Sequence, residues 1–356
     1  MQSKKKILFI LPSLKAGGAE RVISFIAKHL DADQFDVKLI VLGFKKDTVY
    51  DVSNIVVQYL NKHRLLLSIV SLFMTILKQK PSIVVSSIGH VNNMMGIFSL
   101  FFSKTKFVGR EASVVSKMSK FSKTSSKVNF ILMKFFYPRL STIICQSEDM
   151  RQDFITELRL KHKKLVVIHN PITDSDSQFK KDALNDKMRF ITVGRLSEEK
   201  GYLRIIDGLS KIRNYDFLYT IIGSGKEESN IKTRIESYNL TKKVSFIPYT
   251  SKVLEEISRN DFFIQGSYVE GFPNSLLESC TIGTPVIAFK APGGTKDIVV
   301  PNFNGFLVED EFEFVTLLNN INLLKSINRE DVVLSVREKF KATTIVKQYE
   351  ELFNRL

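Results

Sequence analysis

EGFPNSLLE, residues 270–278, joins a short apolar run (DFFIQGS, 261–267) to a helical pattern (NSLLESCTIG, 274–283). The run has the length and boundaries of a buried strand. The pattern predicts a helix with Asn274 as its cap and Leu276, Leu277 and Cys280 on its apolar face. A strand, a tight loop and a helix start place backbone N–H groups at the carboxyl edge of a sheet, where phosphates bind. Glu278 falls about one turn into the helix, on the side of the loop that holds Glu270. Carboxylates repel phosphate but accept hydrogen bonds from sugar and ribose hydroxyls. The expected ligand is a nucleotide carrying a sugar, with Gly271, Phe272, Asn274 and Ser275 as binding candidates between the two acids.

Outward from this block the chain alternates strand and helix patterns in two rounds, as doubly wound α/β domains do. KILFIL, DVKLIVL, SIVVSSI, KFVGR, TIICQ and LVVIHN are the expected strands of the first round, ending at Asn170-Pro171. RFITVGRL, FLYTIIG, KVSFIP, DFFIQGS, PVIAF and GFLV are those of the second. The polar stretch between them predicts a linker over 176–188, after a domain over 1–175 and before one over 189–335. A final helical segment covers 336–356. At 356 residues, two domains are the expectation.

The amino terminus, KKKILFILPSLKAGGA, imitates a signal peptide, but Pro12 and the helical pattern after Gly17-Gly18 make it a first strand, glycine loop and helix. LLLSIVSLFMTIL, 65–77, is too short to span a bilayer and is expected to be a buried helix. Cys145 and Cys280 stand alone in apolar surroundings, which fits buried thiols in a reducing, cytoplasmic compartment. No cysteine or histidine spacing suggests a metal site.

The net charge is +15. Between Ser103 and Leu140, Glu111 alone opposes nine lysines and arginines, with aromatic and aliphatic residues interleaved. No nucleic-acid motif accompanies this charge. Lys117, Lys120, Lys123 and Lys127 recur at helical spacing, which predicts a basic helix face on an anionic membrane surface; an ordinary solvated face is the alternative.

Glu-x7-Glu followed by GTPVIAF and Gly293-Gly294 resembles the donor site of family 4 retaining glycosyltransferases, which have the GT-B fold. GRLSEEKG (194–201) is similar to the segment in which an arginine and a lysine, here Arg195 and Lys200, grip the donor diphosphate. LPSLKAGGAER (11–21) is similar to the family's first glycine loop, here Gly17 and Gly18. These blocks fall in family order over nearly the whole chain. The resemblance implies two Rossmann-like domains facing each other across a cleft, with the carboxyl-terminal helix packing back on the first.

It further implies that Glu270 orients the sugar, with Arg195 and Lys200 stabilising the departing diphosphate without a metal or other cofactor. Glu278 would hold the ribose. Gly223 and Gly225 resemble the glycine turn beside the nucleotide; the missing third glycine excludes a dinucleotide fingerprint. The loop at Tyr249 meets the base in similar enzymes. Where many relatives carry a histidine near the sugar, this chain has Arg110 and Glu111, as in a subset of surface-glycan enzymes; a structural ion pair is the alternative. His90 is another acceptor-side candidate.

The activity expected is transfer of a hexose or N-acetylhexosamine, with retention, from a UDP-sugar to a polyprenyl-diphosphate-linked saccharide in bacterial cell-surface polysaccharide synthesis. The enzyme is expected to sit peripherally on the inner face of the cytoplasmic membrane. A GT-B-type sugar-nucleotide epimerase, a phosphorylase and a non-catalytic membrane-surface protein are the competing readings.

Overall fold

The computed structural model of the chain describes residues 4–121, 125–173 and 187–356, with the backbone alone at 119 and 125–127. Two compact units result: Met1–Thr173 with Ala342–Leu356, and Asp174–Lys341.

The first unit is built on strands β1 (Lys5–Leu11), β2 (Phe35–Val41), β3 (Val56–Tyr59), β4 (Ile83–Ser87), β5 (Lys106–Arg110), β6 (Thr142–Cys145) and β7 (Leu165–Val167). They form one parallel sheet in the order β3-β2-β1-β4-β5-β6-β7. Ile7 to Leu11 are wholly buried, because β1 lies between β2 and β4 and has both faces covered. A continuous apolar run is what such a strand requires, and this is why it mimics a leader peptide. The edge strand β3 was not expected; Val56 is exposed, so no buried run marks it.

The second unit repeats the plan with β8 (Met188–Val193), β9 (Phe217–Ile222), β10 (Val244–Ile247), β11 (Phe262–Gln265), β12 (Val286–Phe289) and β13 (Gly305–Val308). Its order is β10-β9-β8-β11-β12-β13, again parallel. Strand order reverses between β1 and β4 in one sheet and between β8 and β11 in the other. Ligands of such sheets bind outside the carboxyl ends of the strands at that reversal. The loops after β8 and β11 carry the GRLSEEKG and EGFPNSLLE blocks.

The helix Ala342–Arg355 belongs to the first unit. Ile345, Val346, Tyr349, Leu352 and Phe353 are buried in the core that contains Ile7 and Phe9. The Phe353 ring stands edge-on to Phe9 and Phe35, each at 6.2 Å. Lys5 Nζ donates to the carbonyls of Phe353 and Asn354 at 2.9 and 3.0 Å, placing a cation at the negative end of the helix.

Two sequence expectations are corrected here. The helix Leu65–Gln79 is not buried all round: Ser68, Leu72, Thr75 and Ile76 face inward, while Leu66, Leu67, Val70 and Leu77 are exposed. A nearly all-apolar run has no polar stripe to show its orientation, so packing alone decides it. The lysines of 117–127 do not share one helix among the described residues. Lys117 lies in the single turn Val115–Met118, Lys120 in the 3-10 turn Ser119–Phe121, and Lys127 in the helix Ser125–Phe136. Lys123 lies outside the described residues. At the start of this stretch Ser116 donates its N–H, at 3.2 Å, and its hydroxyl to Asp153, so a carboxylate from a separate helix holds the short turn.

Phe353→Ala removes a buried ring against three aromatic neighbours and should destabilise the first unit by about 3–5 kcal/mol. Urea unfolding followed by first-unit amide exchange reads this. A loss under about 1 kcal/mol would mean that the helix does not support this sheet.

Candidate functional site

The loop after β8 turns through Gly194 to a 3-10 turn at Glu198–Lys200. Its shape is fixed internally: Glu199 is buried, accepts from Ser197 Oγ at 2.6 Å, and lies 3.5 Å from Arg195. The Arg195 side chain is otherwise 70% exposed. Lys200, immediately before Gly201 (φ +62°) at the start of the next helix, points instead at the loop after β11. Its Nζ donates to Glu270 Oε1 at 2.6 Å. Ser267 Oγ donates to the same oxygen at 2.5 Å.

Thus Glu270, nearly buried, is held by a cation and a hydroxyl, while Lys200 keeps about a quarter of its side chain in solvent. The pair is neutral as it stands. An anion that binds Lys200 from the solvent side competes with Glu270 for the ammonium, and a released carboxylate accepts hydrogen bonds from hydroxyls. Such a pair can couple binding of a phosphate to binding of a neighbouring polyol.

Backbone close approach shapes the rest. Gly293 has φ +121°, and a Cβ there would lie 2.1 Å from the Glu270 carbonyl oxygen. Glu270 N donates to Pro292 O at 2.9 Å, and Gly294 N to Gly271 O at 3.0 Å, so the 292–294 turn backs the acidic loop. Gly223 has φ +146° and sits against Gly194, where a Cβ would be 1.9 Å from the carbonyl oxygen. Only glycine meets both demands at these two positions. Gly225 packs similarly on the Leu196 carbonyl.

The helix Asn274–Thr281 follows. Asn274 is its first residue rather than its cap; Pro273 holds the cap position and no side chain caps the end. Proline fixes the chain entering the helix without offering a side-chain acceptor. The first intrahelical bond runs from Leu277 N to Pro273 O, so the N–H groups of the first turn precede it. Ser275 and Glu278 are partly exposed on this helix, and Phe272 is buried against Gly294 and Phe340. Tyr249, after β10, is well exposed. Among the described residues, no three His, Cys, Asp or Glu side chains converge as a metal-ligand set.

Sequence reasoning missed two supports of this loop. Ser267 lies three residues before Glu270, a spacing too common to single out. Arg204 lies in the helix Tyr202–Leu209, next to the apolar residues Leu203, Ile205 and Ile206. Its guanidinium is sandwiched between the rings of Tyr268 (4.0 Å) and Phe289 (3.7 Å). It donates to the carbonyls of Gly266, at 2.6 Å, and Ser267. Burial pushes it down to about 10, so it stays charged at neutral pH. An arginine amid apolar helix residues was the available signal.

In the first unit, Gly17 precedes the helix Gly18–His29, and its backbone is clasped by Tyr50: Gly17 N donates to the phenol at 2.7 Å and the phenol donates to Gly17 O at 2.8 Å. His90 is exposed in the first turn of the helix Gly89–Phe98. Ile88, just before it, has φ +81°, a strained value for a β-branched residue at a sheet's carboxyl edge. Arg110 and Glu111 are both buried, and they turn to different partners. Arg110 donates to Asn170 Oδ1 at 2.6 Å and to Ser87 Oγ at 3.4 Å. Glu111 accepts from Tyr137 OH at 2.6 Å and Ala112 N at 2.9 Å. Neither side chain is presented to solvent, and their direct ion pair is replaced by these bonds.

Residues 16–176 match the family model described as Glycosyltransferase Family 4, and residues 174–340 the one described as Glycosyl transferases group 1. The N-acetylgalactosamine-N,N'-diacetylbacillosaminyl-diphospho-undecaprenol 4-alpha-N-acetylgalactosaminyltransferase of Campylobacter jejuni is 24% identical, over 98% of this chain and 96% of the relative. The UDP-Gal:alpha-D-GlcNAc-diphosphoundecaprenol alpha-1,3-galactosyltransferase of Escherichia coli is 25% identical, over 98% and 94%. The crystal structure of Anabaena Alr3699/HepE in complex with UDP and glucose shares the fold, with a TM-score of 0.83 at 20% identity over 99% of this chain and 100% of that one.

Burial holds the Glu111 carboxyl above its usual value of 4.5, against the hydrogen bonds from Tyr137 and Ala112 that lower it. A raised value means that the fold favours the protonated acid. Its contribution is full at acidic pH and lost as pH rises through the folded value. Glu111→Gln mimics the protonated form. It should match the parent in thermal midpoint near pH 4.5 and exceed it at pH 8. A variant less stable than the parent at pH 8 would show that the charged form is the one the site holds.

Proposed function

The chain belongs to glycosyltransferase family 4, of GT-B fold, and from that premise we propose that it transfers a hexose or N-acetylhexosamine from a UDP-sugar, with retention, to a polyprenyl-diphosphate-linked saccharide. The product would enter a bacterial cell-surface polysaccharide, and the enzyme would work peripherally at the inner face of the cytoplasmic membrane. The observation that carries this reading is the pairing of Lys200 with Glu270 beside a helix start. UDP is named with the Anabaena structure, and diphospho-undecaprenol acceptors with both curated relatives.

In this reading the donor diphosphate takes Lys200 from Glu270 and engages Arg195, while Glu270 turns to the sugar hydroxyls. Ser267 keeps the carboxylate in place during the exchange. Glu278 takes the ribose, the backbone at 271–275 lies along the diphosphate, Gly223 and Gly225 leave room beside the nucleotide, and the loop at Tyr249 meets the base. The bond from the anomeric carbon to the phosphate oxygen breaks as the acceptor oxygen approaches on the same face. The departing oxygen takes the acceptor proton, so no separate base is required. Negative charge grows on the diphosphate, and Lys200 with Arg195 stabilises it more in the transition state than in the ground state. Fixed cations then fill the role that a metal fills elsewhere.

Nucleotide screening by thermal shift should rank UDP above GDP and ADP. Turnover of UDP-sugars with a lipid-diphosphate saccharide should give the α-linked product and survive chelation. Strict dependence on manganese or magnesium, or epimerisation of UDP-sugar without an acceptor, would remove this reading.

Lys200→Ala should lower kcat by roughly a hundredfold, with a smaller effect on donor binding because Glu270 is also freed. A kcat within about twofold of the parent, well under 1 kcal/mol, would leave Lys200 as a structural partner of Glu270 only.

A further inference from the structure

The helix Leu65–Gln79 is apolar on both sides, with Leu72 and Ile76 wholly buried on the inner one. Its inward side carries the hydroxyls of Ser68 and Thr75, each satisfied by a carbonyl of its own helix, Leu65 O at 2.6 Å and Ser71 O at 2.7 Å. Its outward side carries Leu66 (77% exposed) and Val70 (73%), with Leu67, Met74 and Leu77. Leu66, Val70, Phe73 and Leu77 follow one another at helical spacing, so they form one stripe.

That stripe continues into two other segments. Phe73 packs against Phe98, Phe101 and Phe102, with ring centroids 5.4, 5.8 and 4.9 Å away. Leu100 and Phe101 are themselves exposed. Leu100 then shares a hollow of about 490 Å³ with Phe135, Pro138 and Arg139. On the helix Ser125–Phe136, Val128, Ile131, Leu132 and Phe135 are all exposed, at spacings of three and four residues. Scattered exposed apolar residues are ordinary, but contiguous stripes of this extent mark an interaction surface.

Charge identifies the occupant. From residue 52 to residue 147 the sequence holds thirteen lysines and arginines and one carboxylate, Glu111, which is buried. Arg64, Lys78, Lys80, Lys104, Lys134 and Arg139 are exposed around the stripes. A second copy of the chain would bring the same positive charge against itself. An anionic bilayer supplies both complements: negative headgroups for the cations and acyl chains for the leucines and phenylalanines. Among the described residues no helix is long and apolar enough to cross a membrane.

We propose that the outward faces of Leu65–Gln79, Ile97–Phe101 and Val128–Phe135 enter the headgroup–acyl boundary of an anionic membrane, so that the protein is held by insertion as well as by charge. This gives a physical form to the lipid-borne acceptor proposed above and rests on that reading for its purpose. Attraction by charge alone is released by salt, since the Debye length falls to about 3 Å at 1 M. Inserted side chains are not released this way.

The chain has no tryptophan, so a single introduced one reports its own surroundings. Val70→Trp and Phe135→Trp should show blue-shifted emission on vesicles of phosphatidylglycerol and phosphatidylethanolamine, keep the shift in 1 M NaCl, and show none on phosphatidylcholine. Phe312→Trp, at an exposed position of the second unit, should show no shift. No shift at the first two positions, a shift fully reversed by salt, or an equal shift at 312 overturns the proposal. So does a shift without lipid that tracks self-association in sedimentation. The double variant Val70→Glu/Phe135→Glu should lose vesicle binding several-fold while keeping the parent's transfer to a water-soluble acceptor; unchanged vesicle binding counts against the proposal. Absence of transfer in the parent itself would count against the activity alone, with the fluorescence still deciding the surface.

Discussion

The contact between Lys200 and Glu270 spans 70 residues of sequence and ties the two loops of the second unit's strand reversal to one point. Much of the surrounding architecture serves to keep it there. The β8 and β11 backbones pair directly, which sets the spacing of the loops they launch. Arg204 fixes the carbonyls of 266 and 267 from below, and the 292–294 turn supports Glu270 from behind. Removing one partner of such a half-buried pair leaves the other charge poorly solvated, so each residue is costly to lose for reasons beyond its own contacts.

The sheet plan was legible because parallel strands covered on both faces favour apolar runs, and twelve of the thirteen strands among the described residues fall in the segments read as strands from the sequence. The exception, β3, sits at an edge where only one neighbour and partial cover are available. The loops Gly194–Gly201 and Glu270–Glu278 were legible because each joins an apolar run to a helical pattern and carries the charged residues of the block it resembles. Their mutual contact was not: no local pattern shows that an ammonium and a carboxylate so far apart in sequence share a hydrogen bond. Arg204 was hidden for the same reason, since its partners are carbonyls and rings, which leave no charge signature.

The first unit shows a different limit. Arg110 and Glu111 are adjacent and opposite in charge, yet they alternate across β5 and the turn after it and so meet different neighbours, Asn170 and Tyr137. Adjacency in sequence does not bring side chains together in extended backbone. The helix Leu65–Gln79 defeats prediction in another way. Hydrophobicity shows that a segment avoids water; it does not say whether the refuge is this protein's own core or something outside it.

The chain leaves the first unit after Thr173 and returns to it at Ala342. The second unit is thus an insertion, in the topological sense, within the first. During synthesis the sheet around Phe9 emerges early but lacks Ile345, Tyr349 and Phe353 until the whole second unit has been made. The second unit has all its own strands by then and can fold first, so the order of assembly is reversed relative to the order of translation. Until that closing helix docks, the nascent first unit exposes apolar surface on its central strands. The helix Ala342–Arg355 therefore acts as a completion signal: a chain that stops short of it leaves an unfinished sheet to the chaperones and proteases.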